Sequence, residues 1–322
     1  MKPIVKWSGG KKDEIKHIVD LIPDDISTYV EPFFGGGAVF FHLEPKKAVV
    51  SDVHKELVDF YNALKDGKGN EIHKFLTENP NVEDVYYRVR DEFEINTPLD
   101  NAKRFFYLRK TCYRGMLRYN RRGKFNIPYG RYKTFNFEEL KDDKYMNVFN
   151  GTEILNESFE KVFERCNDPK DFIFLDPPYD SEFTDYGYCS FGKEEHRKLA
   201  ECFKRSKARC MMIIGKTPFI EELYSGYIKR EYHKKYAFKL HSNRIGDEIN
   251  TTHIVITNYA NPYPPCSTSS PWWRNCGPSR TPTLVEMLPD DARFSTQRAP
   301  YCRWSSQSLE VSQWPSRSLG ET

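Results

Sequence analysis

The chain has 322 residues, 39% hydrophobic and 30% charged, with 49 Lys plus Arg against 46 Asp plus Glu and a net charge of +3. That length exceeds the usual single-domain size, so it predicts one large domain with an insertion, or two domains. The near balance of charge names no partner by itself, and eight cysteines without a CxxC pair beside eight histidines without an HxxxH pattern predict reduced thiols and no metal site.

Residues 1–20 hold no continuous apolar run, so the sequence predicts neither secretion nor membrane insertion, and an intracellular protein. Lys6-Trp7-Ser8-Gly9-Gly10-Lys11 precedes a helix expected over 13–21, with Ile15, Ile18, Val19 and Ile22 at helical spacing. Two glycines there would let backbone approach a ligand, with Trp7 as a stacking surface and Lys11 as a cation. A plain turn beside a core tryptophan would explain the same residues.

A strand over 28–33 runs into Phe34-Gly35-Gly36-Gly37, and a helix over 38–43 follows. Strand, glycine turn and helix make the first unit of a nucleotide-binding α/β sheet. The spacing is neither GxGxxG nor GK[ST], which disfavours a dinucleotide or ATP. A second strand over 48–51 ends in Asp52. A carboxylate there suits the two hydroxyls of a ribose, or it caps the helix expected over 54–64.

From 70 to 149 the pattern is mostly helical, with helices expected over 71–77, 82–93, 99–112 and 137–146 and a short hairpin over 125–132. Between Lys103 and Lys133 stand Lys103, Arg104, Arg109, Lys110, Arg114, Arg118, Arg121, Arg122, Lys124, Arg131 and Lys133, without one acidic residue and with tyrosines and phenylalanines interleaved. A one-sign patch repels itself unless a polyanion neutralises it, which points to nucleic-acid phosphates. Arginine also reads guanine edges, and aromatic rings stack on exposed bases.

The sheet resumes at Ile154-Leu155, followed by Asn156-Glu157-Ser158-Phe159. The apolar run Phe172-Ile173-Phe174-Leu175 then stops at Asp176-Pro177-Pro178-Tyr179, which delivers a carboxylate, a carbonyl-bearing turn and a ring to one strand tip. Open α/β sheets bind ligands at such tips. A helix over 193–203, a strand over 210–214, a helix over 218–223 and strands over 236–240 and 253–257 complete a doubly wound, mainly parallel sheet. Beyond Asn258 the composition changes: no lysine follows Lys239, and four of the five tryptophans and nine of the twenty prolines lie at or beyond Pro262. Such a tail predicts disorder, or a frame-shifted or appended segment foreign to the fold.

Together these motifs resemble the DNA adenine-N6 methyltransferases of the Dam type, over about residues 3–258. The likeness rests on Lys6 to Lys11, Glu31 to Gly37, Ser51-Asp52, the stretch Arg118 to Tyr132, and Asp176 to Tyr179 in this order. It implies a Rossmann-like class I methyltransferase sheet, with S-adenosylmethionine bound by residues 1–66 and 150–260 and a mostly helical DNA-recognition insert over 67–149, and it leaves 261–322 outside as the disordered or non-native tail that the composition predicts. Carried over residue by residue, Trp7, Lys11, Phe33, Gly35, Gly37, Asp52 and Asp176 would hold the donor. Asp176, Pro177, Pro178 and Tyr179 would carry catalysis. Arg114, Arg118, Tyr119, Asn120, Arg121, Arg122 and Lys124 would meet double-stranded DNA, and a cognate restriction endonuclease is the further partner implied.

Two departures stand out. Ser8 replaces the family's usual Ala, a change expected to be silent, and Cys112 to Leu117 differs from the usual tyrosine-asparagine-glycine-leucine pattern, so GATC recognition does not carry over. Competing readings are a methyltransferase acting on RNA or a protein amide, and an inactive relative that only holds DNA.

Overall fold

A computed structural model of the chain describes residues 1–7, 9–180, 191–235 and 250–260. Ser8, the strand expected over 236–240 and the tail 261–322 lie outside the described residues. In chain order the elements are β1 (Tyr29–Glu31), α1 (Ala38–Leu43), β2 (Ala48–Ser51), α2 (Lys55–Lys65), α3 (Gly69–Glu78), α4 (Glu83–Asp91), α5 (Pro98–Thr111), α6 (Lys144–Asn147), β3 (Thr152–Leu155), α7 (Phe159–Arg165), β4 (Phe172–Leu175), α8 (Lys193–Arg205), β5 (Arg209–Gly215), α9 (Pro218–Leu223), β6 (Ile228–Lys235) and β7 (Asn250–Thr257).

The strands form one sheet in the order β3-β2-β1-β4-β5-β7-β6. The first five run parallel, β7 is antiparallel to β5, and β6 is antiparallel to β7. This is a Rossmann-like methyltransferase sheet. Residue alternation sorts the strands' side chains into two layers. Phe172, Phe174, Met211 and Ile213 join a core built from α1, α2 and α5, while Ile173, Leu175, Met212 and Ile214 join one built from α7, α8 and α9. All four residues of β4 are fully buried, as a central strand covered on both faces requires.

Helices α2 to α6 lie between β2 and β3 in sequence. Phe60 of α2 stacks on Phe106 of α5 at 4.7 Å, and Ile72, Leu76, Tyr86 and Val89 of α3 and α4 join the same core as the sheet. Helix α5 opens with Thr97 and Asp100 in a reciprocal capping box and Pro98 in the first turn, which satisfies its leading N–H groups.

Several expected elements take another form. The helix expected over 13–21 is two 3-10 turns, Ile15–His17 and Val19–Leu21. Ile15, Ile18 and Leu21 are three apart, the spacing that eclipses in a 3-10 helix. The helix expected over 137–146 splits into a 3-10 turn, Glu138–Lys141, and α6, because the Asp142 carboxylate accepts from the Lys144 N–H at 3.1 Å and makes a local turn. Instead of a hairpin over 125–132, isolated bridges pair Cys112 with Tyr129 and Tyr119 with Phe125. Strand β6 was not anticipated: its sequence Ile-Lys-Arg-Glu-Tyr-His-Lys-Lys lacks an apolar face, as a charged edge strand does.

Candidate active site

Strand order reverses between β1 and β4, so their carboxyl ends flank the crevice where such sheets bind ligands. At the end of β1 the glycine turn is pinned on both sides. The Phe34 N–H donates to the Ser51 carbonyl at 2.9 Å, and the Tyr61 hydroxyl donates to the Gly35 carbonyl at 3.1 Å. Asp52, at the end of β2, accepts from the Gly35 N–H at 2.8 Å and from the His54 N–H at 2.9 Å. Burial pushes the Asp52 carboxyl up to about 6, against those backbone hydrogen bonds. The helix cap is His54, whose Nδ1 accepts from the Leu57 N–H at 3.2 Å, so Asp52 braces the turn and does not cap α2.

Gly35 sits at φ +47°, and a Cβ on it would stand 2.7 Å from Cδ1 of Trp7. The glycine therefore makes room for the indole as well as for the backbone bend. Trp7 is further held by the Arg109 guanidinium, 5.4 Å from its ring centre, and by the edge of His54 at 5.6 Å. Phe33, one position before the turn, stacks on Phe159 at 5.6 Å.

At the tip of β4, Asp176 forms an ion pair with Lys11, which also donates to the Gly9 carbonyl at 3.0 Å. Lys11 is 2% exposed and the Asp176 side chain 23%. Burial raises the Asp176 pKa and Lys11 opposes the rise. Pro177 is buried, and Pro178 and Tyr179 are half-buried. The Tyr179 ring lies 5.2 Å from the Lys11 ammonium and meets His253 edge-on at 5.3 Å. Thus the expected Gly35, Gly37, Asp52, Asp176 and Tyr179 follow the carboxyl ends of β1, β2 and β4, and Trp7 and Lys11 pack against Gly35 and Asp176.

Residues that sequence reasoning missed stand behind these. Glu14 is 2% exposed and accepts from Tyr232, His253 and Lys234, three donors from the two last strands. Burial works to raise its pKa, but those hydrogen bonds and the charge of Lys11 hold it down at about 2. Glu14 read as a polar position on a helix, and His253 as the start of an apolar strand. Their one signal was a histidine within that apolar run.

The basic segment divides in two. Lys103, Arg104, Lys110 and Arg131 are paired with Asp100, Glu56, Glu139 and Glu83, and Arg109 packs on Trp7. Arg118, Arg121, Arg122, Lys124 and Lys133 are exposed and, among the described residues, have no carboxylate at ion-pair distance. Arg121 and Arg122 lie in a turn held by the Asn120 side chain, which accepts from the N–H groups of Arg122 and Lys124 at 2.9 and 3.0 Å. Arg114 is exposed at φ +56°. The Tyr119 hydroxyl donates to Glu56 at 2.6 Å and lies 2.8 Å from Nε2 of His54, so its ring anchors the arm to α2.

Comparison with known proteins finds three levels of likeness. A family model described as the D12 class N6 adenine-specific DNA methyltransferase matches residues 7–239. The Type II methyltransferase M.CviBI of Paramecium bursaria Chlorella virus NC1A is 58% identical over 261 residues, 80% of this chain and 100% of that protein. The Type II methyltransferase M1.LlaDCHI of Lactococcus lactis subsp. cremoris is 32% identical over 280 residues, 81% of this chain and 96% of that protein. The DNA adenine methylase of Escherichia coli K12 is 32% identical over 213 residues, 62% of this chain and 74% of that protein.

Proposed function

The chain belongs to the D12 class of N6 adenine-specific DNA methyltransferases, and we propose that S-adenosylmethionine and a flipped adenine meet between its β1 turn and its β4 tip. The observation that carries this reading is the Lys11–Asp176 ion pair, which joins the amino-terminal motif to the strand tip 165 residues away.

The residues present fit such a donor. Asp52 uses one lone pair of each oxygen on backbone N–H groups, which leaves the others for the two hydroxyls of a ribose. Trp7, held from behind by Arg109, offers a rigid flat surface beside Gly35, and Phe33 and Gly37 complete the wall. When bound, S-adenosylmethionine supplies a methyl group on a positively charged sulfur, already activated for displacement.

Adenine N6 is a weak nucleophile because its lone pair is delocalised into the ring. The Asp176 carboxylate and the Pro177 carbonyl each accept one N6 hydrogen, which favours a tetrahedral nitrogen with its lone pair free to attack. Positioning and electrostatics then do most of the work, and the proton leaves after the new bond has formed. Extracting the base from the duplex costs a few kcal/mol. Stacking on Tyr179 returns about 1–3 kcal/mol.

Residues 67–149 act in this reading as the DNA-recognition segment. Arg114, Arg118, Arg121, Arg122 and Lys124 meet phosphates or base edges, and Tyr119 and Asn120 hold the arm that presents them. The Type II names of the viral and lactococcal relatives support a restriction–modification setting with a cognate endonuclease. Among the described residues no helix is long and apolar enough to cross a membrane. The test is methylation of duplex DNA, RNA and protein with labelled donor, followed by mapping of N6-methyladenine. Label in duplex DNA at one repeated sequence context supports the reading, and label confined to RNA or protein overturns it.

A further inference from the structure

Gly215, His253 and Tyr232 face one another across β5, β7 and β6. Directly opposed residues present their side chains on one face of a sheet. Gly215 has no side chain, and the space above it is taken by Tyr179, whose Cδ2 would lie 3.7 Å from a Cβ there. A row of rings follows: Tyr179 against His253 at 5.3 Å, His253 against Tyr232 at 5.7 Å, and Tyr232 stacked on His17 at 4.1 Å and 10°.

Glu14 holds this row from the side. Its Oε2 accepts from the Tyr232 hydroxyl at 2.5 Å and lies 2.7 Å from Nδ1 of His253, while Oε1 pairs with Lys234. An ionised carboxylate only accepts hydrogen bonds, so Nδ1 of His253 must carry a proton. The imidazole is thereby held in plane, with its Nδ1 directed at Glu14. Its plane in turn sets the wall against which the Tyr179 ring stands.

We propose that Glu14 and His253 are positioning residues for methyl transfer: they orient the Tyr179 ring that receives the flipped adenine, and so couple the segment bearing Lys11 to the placement of the target base. This rests on the reading of Tyr179 as the stacking ring. Neither residue touches the reacting atoms. Their contribution is to hold N6 in line, where an error of about 1 Å costs on the order of 100-fold in rate.

The test uses the full chain and two duplexes: one with the mapped target adenine, on which turnover is measured, and one with 2-aminopurine in its place, which has no 6-amino group and reports stacking by its emission alone. His253→Ala removes the wall, and His253→Phe keeps a ring but loses the bond to Glu14, while Tyr179→Ala provides the reference. For His253→Ala, kcat is expected to fall about 10- to 100-fold with the KM for DNA within about twofold. The emission of bound 2-aminopurine should rise towards that of Tyr179→Ala, because an unstacked base is less quenched. His253→Phe, which keeps an aromatic wall at this buried position, should fall between the wild type and His253→Ala in both readouts. If both His253 variants lower only the melting temperature and leave kcat and emission at wild-type values while Tyr179→Ala is impaired, the positioning role is overturned and the stacking reading stands. If Tyr179→Ala is silent as well, both fail.

Discussion

Replacing Asp176 removes the carboxylate from an ammonium that has almost no access to water. Lys11 is 2% exposed and, among the described residues, would keep only the Gly9 carbonyl as a hydrogen-bond partner, beside the Tyr179 ring. Breaking a fully buried pair costs about 3–5 kcal/mol. The Asp176 side chain is 23% exposed, so water replaces part of the lost partner, and about 2–4 kcal/mol is expected for Asp176→Ala. Asp176→Asn keeps an oxygen for Lys11 and for one N6 hydrogen, and should lose only about 1–2 kcal/mol. Methyl transfer should vanish in the alanine variant and fall about 100- to 1000-fold in the asparagine variant, the usual effect of losing one preorganised electrostatic contact at a reacting atom. Urea denaturation followed by circular dichroism gives the first pair of numbers and single-turnover label transfer the second. Wild-type stability in Asp176→Ala would refute the buried ion pair, and a tenth or more of wild-type transfer in either variant would refute Asp176 as the N6 acceptor.

Four other perturbations have expected outcomes. Gly35→Ala meets a left-handed φ of +47° and the Trp7 ring at 2.7 Å, so it should destabilise the chain by about 2–4 kcal/mol and weaken donor binding; unchanged melting and affinity would count against it. Because burial raises the Asp52 pKa to about 6, donor affinity measured calorimetrically should be flat above pH 7 and fall by up to about tenfold per unit below 6, a dependence that Asp52→Asn should abolish. The same raised pKa favours the fold fully below about 3.8 and withdraws that contribution as pH rises through about 6, so Asp52→Asn should flatten stability across this window. Arg121→Ala should weaken DNA binding evenly across sequences and reduce the salt slope by about 1; loss of sequence preference alone would contradict a phosphate contact. Removal of residues 261–322 should leave melting temperature and activity unchanged, consistent with a viral relative matched over its whole length by 80% of this chain.

Much of the site could be read in advance because its residues announce themselves by type and order. Asp176 to Tyr179 close an apolar strand with two prolines, and Gly35 to Gly37 open a helix, both local signals that survive folding. Helix α1 and strand β2 coincide with their expected ranges for the same reason. What escaped depends on long-range partners. Glu14 acquires meaning only from strands more than 200 residues later, and β6, the last strand of the described sheet, carries charges in place of an alternating apolar face. Tyr119 is expected from the sequence to meet DNA, and only His54 and Glu56, brought near by α2, reveal that its hydroxyl also anchors the arm.

The Glu14–His253 contact closes a loop of 239 residues, and Lys11–Asp176 one of 165. Contacts of such sequence separation form late, since loop closure must precede any gain from them. A chain emerging from the ribosome can fold the β1 turn and α1 early, yet it holds no finished crevice until β7 has been made and docked. A fragment ending before His253 therefore lacks the partner that Glu14 meets 239 residues later, whatever motifs it carries.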